Sequence, residues 1–214
     1  MLVSTQLTQH LLRDHALVHI IQIMKKLSAY LFLLLFTLQT PSWTDDIRDF
    51  QIEGMTIGDS LLDYVSEGEI TKKKYYYPKS KKFVAFEKEI SSFKTYESFR
   101  VHFKDDDKKY IIKSLEGVIS YKNNIEDCYK KMDEIIEELS SVFKDAHKNE
   151  TKTSIHPGDK SGKSKFTDAQ FILQSGGGVR VVCYDWGAKT KVFDTLNVDM
   201  STKEIIYFLD NEAY

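Results

Sequence analysis

The chain has 214 residues, with 30 Lys and Arg against 32 Asp and Glu, 13% aromatic residues, 2 Cys, 10 Gly and 3 Pro. A net charge of −2 excludes a general nucleic-acid binder, which needs a basic face to neutralise phosphates. So few Gly and Pro exclude a low-complexity chain, and the length suits one domain able to bury a core.

The first element begins well inside the chain. Lys25 and Lys26 precede an uncharged, mostly apolar run over 27–38, which Gln39, Thr40 and Pro41 break before Ser42-Trp43-Thr44. A charged start, an apolar middle of about 7–15 residues and small residues before a cut are the order of a secretory signal peptide, and predict cleavage between Thr44 and Asp45. A membrane-spanning helix needs about 20 apolar residues. The run is shorter, and Pro41 stands where it would continue, so an uncleaved inner-membrane anchor is the alternative. No Cys lies near the cut, which argues against a lipoprotein. Residues 1–23 read as a start assigned upstream of Met24 or as an extended leader. The expected organisation is 1–23, a signal peptide over 24–44, and a single domain over 45–214. Arg13, Lys25 and Lys26 against Asp14 fall in the first 44 residues, so the remainder is slightly more acidic than the whole.

In that domain Gly54 and Gly58 bracket 55–57, and Asp59 or Ser60 caps a short helix carrying Leu61, Leu62 and Val65. Residues 67–73 add another turn. This Gly-Met start and short helix resembles the first element of small envelope proteins of the outer-membrane-assembly lipoprotein type, over that stretch alone. The segment KKKYYYPKSKK (72–82) follows. Its Lys72, Lys73, Lys74, Lys79, Lys81 and Lys82, with Tyr75, Tyr76 and Tyr77, form a candidate surface for an anionic partner. The plainer reading is a solvated loop whose tyrosines lean on the core.

Strands follow over 83–87 and 99–104. Phe99, Val101 and Phe103 alternate with Arg100, His102 and Lys104, the pattern of a half-buried antiparallel strand, which puts His102 on the surface. Asp105 to Asp107 predict a hairpin turn. Strands over 110–115 and 118–121 flank Glu116-Gly117, read as a bend or bulge. A long helix over 124–146, capped by Asn124, has a stripe of Ile125, Cys128, Met132, Ile135, Leu139 and Val142, widened by Ile136 and Phe143. Residues 148–165 have almost no apolar side chains and read as a long exposed loop.

Three strands, or two longer ones, follow over 169–173, 179–185 and 191–198, with Val179, Val181 and Cys183 on one face. Ser201-Thr202-Lys203-Glu204 forms a capping box before a short helix carrying Ile205, Ile206 and Leu209. The fold class is α+β: an antiparallel sheet packed by one long amphipathic helix, with short N- and C-terminal helices.

In an exported chain an even cysteine count reads as one disulfide, Cys128–Cys183, with two buried free thiols as the alternative. If Val179, Val181 and Cys183 face the helix, Cys183 reaches Cys128.

The stretch DDIRDFQIEGMTIGDSLLDY (45–64), with GVISYKNNIEDCYKKMDEI (117–135), resembles a group of small exported proteins of unassigned function from marine planktonic alphaproteobacteria. The similarity runs over most of 45–214. It implies bacterial export and a start at Met24, and transfers no catalytic or binding residues.

No chemical motif stands out. GDKSGKS (158–164) has three residues between its glycines where a phosphate loop needs four. SGGGV (175–179) reads as a flexible turn, Asp185-Trp186 as an aromatic closing the core, and Asn149-Glu150-Thr151 matches a glycosylation sequon by pattern only. His102, His147 and His156 share no metal-type spacing, and G-x-S-x-G, H-E-x-x-H and C-x-x-C are missing. The expectation is an exported, periplasmic or secreted, non-enzymatic binding or envelope-associated protein, with no catalytic residues, metal or cofactor. Its partner is an envelope protein or an anionic envelope component, met through 72–82 or a sheet edge. It binds no nucleic acid and keeps no stable span after cleavage. The alternative is a periplasmic hydrolase or transferase whose site is assembled from distant residues. Ligand, process and oligomeric state are open at this level.

Overall fold

The computed structural model describes residues 47–122, 124–188, 190 and 192–214. The expected signal peptide and the Thr44–Asp45 cut lie outside the described residues. A large antiparallel sheet organises the domain, with helices α1 (Glu67–Lys73), α2 (Ile125–Val142) and α3 (Lys203–Asn211), so the chain is α+β.

Strand β1 (Tyr75–Tyr76) pairs with β2 (Phe83–Glu89), followed by β3 (Ser98–Lys104) and β4 (Ser114–Ser120) as a meander. After α2 the chain adds β5 (His147–Lys148) and β6 (Lys152–Ile155) at the far edge, then β7 (Lys165–Ile172), β8 (Gly178–Asp185) and β9 (Thr195–Ser201). The order β1-β2-β3-β4-β9-β8-β7-β5 places the last strand beside β4. Two meanders therefore meet at the β4–β9 ladder, and every pairing is antiparallel.

Strand alternation makes one face of the sheet the core. Phe86, Val101, Leu115, Met200, Val179 and Phe171 lie in one register row and are buried. On α2, Cys128, Met132, Ile136 and Leu139 are buried and share the same hydrophobic cluster. Asn124 caps the helix, its Oδ1 accepting from the Asp127 amide, and the helix ends at Phe143. Val142, expected on the stripe, is exposed instead, because the chain leaves the helix there. The disulfide joins Cys128 of α2 to Cys183 of β8 with Cα atoms 6.1 Å apart.

Several local expectations give way to tertiary contacts. Residues 110–112 do not join the sheet. They bond the N-terminal segment instead: the Leu61 amide donates to the Tyr110 carbonyl at 3.0 Å, and the Ile112 amide to the Asp59 carbonyl at 2.9 Å. Gly117 marks no bulge; it continues a regular β4. A Cβ there would stand 2.5 Å from the Tyr96 ring, so glycine is what lets that ring lie on the strand. The capping box does not form, because Ser201 belongs to β9 and Thr202 caps α3 without a side-chain bond. Within the exposed segment 148–165, residues of β6 pair with β7, and Asp159 accepts from the amides and hydroxyls of Ser161 and Ser164 at 2.6–2.9 Å. Gly176 and Gly177 lie in the β7–β8 turn, where Gly176 has φ +81°, and Gly178 opens β8.

Candidate functional site on the hydrophilic face of the sheet

The face of the sheet opposite the core is polar. The register aligns Glu87, Arg100, Glu116, Asp199, Arg180 and Gln170 side by side across β2, β3, β4, β9, β8 and β7. Directly opposed side chains in such a row stand about 4.5–5.5 Å apart at Cβ, so most of these charges find a neighbour. Arg100 reaches Glu87 at 3.0 Å and Glu116 at 2.8 Å. Asn197 donates to the other oxygen of Glu116. Arg180 binds Asp168 at 2.8 Å and lies over the Phe166 ring.

Asp199 is the exception. Its neighbours in the row are Glu116, of like charge, and Arg180, whose Nε is turned to Asp168, and among the described residues its carboxylate accepts a hydrogen bond from the Ser201 hydroxyl at 2.7 Å. Burial, then the Glu116 carboxylate, push its carboxyl up to about 7. Arg100 keeps its charge: burial works against it, but Glu116 and Glu87 hold its value above the usual guanidinium range.

One end of this face is covered. Ile205, Phe208 and Ala213 pack with Phe83, Tyr77 and Leu209 as a second, smaller core. Beneath it lies His102, 5% exposed, its Nε2 2.6 Å from the Tyr77 hydroxyl and its Nδ1 without a partner among the described residues. His102 is thus not the surface residue that alternation predicts. It does point away from the main core, but α3 and Tyr77 close over it. Burial, with Arg100 nearby, lowers its pKa to about 3. The other end carries rings: Tyr184 stacks on Trp186 at 5.6 Å, and His156 sits 4.7 Å from Trp186. Trp186 is therefore part of a half-buried surface cluster and does not close the core.

Between α3 and β7–β9 the face opens into a cleft of about 410 Å³, lined by Asp199, Arg180, Ser201, Ile206, Leu209 and Asp210 among others. The glycines 176–178 form its rim.

The structure divides the 72–82 segment. Lys73 pairs with Glu69, Lys74 with Asp105 and Lys82 with Glu212. Tyr75 and Tyr76 form β1, the Tyr76 hydroxyl donates to Asp105, and Tyr77 lies over His102. Lys72, Lys79 and Lys81 make no ion pair among the described residues. His147 stands on the edge strand β5, whereas His156 follows β6 and lies beside Trp186. No group of His, Cys, Asp and Glu among the described residues could hold a metal ion, and no helix among them is long and apolar enough to cross a membrane.

Sequence reasoning missed Glu116, Asp199, Arg180 and Asp168. The signal was present as charges at alternating strand positions, yet only the register brings residues from three separate stretches into one row. Compared with family models, curated proteins and solved structures, the chain has no match.

Proposed function

We propose that the chain is an exported, periplasmic or secreted binding protein without catalytic activity, which meets its partner through the hydrophilic face of the sheet. The observation that carries this reading is the open polar face itself: a row of charges on the central strands, beside a cleft, which α3 covers only at one end. A disulfide between α2 and β8 fits an oxidising compartment. Lys72, Lys79 and Lys81 offer a second, weaker contact for an anionic envelope component.

A hydrolase or transferase reading has one specific support: Glu116 and Asp199 face each other in the β4–β9 ladder, with Asp199 holding its proton near neutrality. Against it, Glu116 is held by Arg100 and Asn197 and is 9% exposed, which leaves it poorly placed to touch a substrate.

The deciding experiment is the intact mass of protein recovered from the periplasm of an expressing bacterium, with and without reduction before alkylation. A mass for 45–214, with two thiols labelled only after reduction, supports export. A full-length cytosolic protein with free thiols overturns it.

A further inference from the structure

The cleft beside α3 has a chemical asymmetry. Each cation of the hydrophilic row is already engaged, Arg100 by Glu87 and Glu116, and Arg180 by Asp168. Asp199 lines the cleft and takes part in no ion pair among the described residues. Glu116 stands across one ladder from it and Arg180 across the other, but Arg180 binds Asp168 and Arg100 binds Glu116 and Glu87, and Asp210 of α3 adds a second carboxylate to the cleft lining.

Two residues earlier on the same face of β9, Asn197 is 7% exposed and its Oδ1 finds no donor among the described residues. This region of the sheet therefore has acceptors in excess of donors. The α3 side of the cleft supplies Ile206 and Leu209 beside Asp210, and Ile172 of β7 adds an apolar side chain on the sheet side. At about 410 Å³ the cleft falls in the range of small-molecule sites, about 300–1,000 Å³.

We propose that this cleft binds a small organic ammonium ion, with the Asp199 carboxylate as its counter-ion and Ile206 and Leu209 against its hydrocarbon part. The proposal deepens the binding-protein reading and rests on it. An anion would meet the Asp199 and Asp210 carboxylates, with Arg180 already bound to Asp168. A neutral apolar ligand would leave Asp199 without a cation. A bound ammonium supplies the ion-pair contact that Arg180, turned to Asp168, does not make with Asp199. The carboxylate that burial and Glu116 hold partly protonated near neutrality then ionises on binding, so binding weakens on acidification.

The test is a titration of the purified, oxidised chain with butylammonium chloride, followed by amide NMR shifts at pH 8 and pH 5.5, with sodium butyrate and butanol as controls. The expected result is saturable binding of butylammonium with shifts at 199–201 and 206–210, no saturation with butyrate, and affinity at least fivefold weaker at pH 5.5. Asp199→Asn weakens binding at least tenfold. Ile206→Trp, which fills the cleft and leaves the charge row intact, abolishes it, so the conclusion does not depend on one variant folding. Equal binding of butyrate or butanol, shifts elsewhere, or no saturation at all overturns the proposal. Such failure leaves the exported-binding reading standing, since that reading is judged by the periplasmic mass.

Discussion

The Tyr77 hydroxyl stands 2.6 Å from Nε2 of His102, and the Tyr77 ring in turn meets Phe208 and Tyr214 edge-on. This relationship fixes the C-terminal segment over one end of the hydrophilic face and buries the imidazole in its neutral form. An imidazole whose folded pKa of about 3 lies below its ordinary 6.5 supports the fold fully above pH 6.5. That support is lost as pH falls toward 3.

The urea midpoint of the wild type should therefore fall on acidification from pH 6.5 to pH 4. His102→Gln, which keeps an acceptor for Tyr77 but does not titrate, should fall measurably less. Parallel curves for the two proteins would show that His102 does not drive the acid loss.

Asp199 acts in the opposite sense. Its folded value near 7 lies above the ordinary carboxyl value of 3.8, so it costs stability progressively as pH rises between the two and uniformly above 7. Asp199→Asn should stabilise the ligand-free protein by about 1–3 kcal/mol at pH 8, discounted for solvent access, and far less at pH 4.5. Thermal unfolding at the two pH values reads the difference. A stabilisation independent of pH would point to packing instead of charge.

The disulfide closes a segment with a sequence separation of 55. By the chain-entropy argument it contributes about 4 kcal/mol through the unfolded state. Cys128→Ala with Cys183→Ala should lower stability by roughly that amount in denaturant unfolding. Reductant should lower wild-type stability and leave the double variant unchanged.

Gly117→Ala brings a methyl group against the Tyr96 ring, which lies 2.5 Å from the position of that Cβ. Overpacking of this kind costs about 1–3 kcal/mol. The cost should shrink when Tyr96 is also changed to Leu, and a double-mutant cycle measures the coupling. Additive effects would place the cost in β4 alone.

Lys72, Lys79 and Lys81 lack ion pairs among the described residues, whereas Lys74 is tied to Asp105. Changing the first three to Gln should weaken binding to vesicles containing phosphatidylglycerol by about tenfold or more at low salt, with the melting temperature unchanged. Lys74→Gln should lower the melting temperature. Unchanged vesicle binding in the triple variant would remove this segment as a contact for anionic lipid.

Much of the local structure was legible in the sequence because its cause is local. The alternation of Phe99, Val101 and Phe103 marks β3, and the apolar spacing from Cys128 to Leu139 marks α2 with Asn124 as its cap. Cys128 and Cys183 each fall on a buried face, which supported the disulfide read from the even cysteine count against the alternative of free thiols, and the structure joins them. What only the tertiary structure decided is which polar residues meet. Glu116 and Asp199 are opposed because β9 returns to lie beside β4, a pairing between distant parts of the chain that no periodicity encodes. His102 reads as exposed from alternation and is buried because α3 closes over its end of the face. Residues 110–112 read as strand and leave the sheet because the N-terminal segment takes their backbone hydrogen bonds. Periodicity reports which side of an element faces an apolar environment; what covers the other side is set by long-range packing, and that packing shapes the cleft beside Asp199.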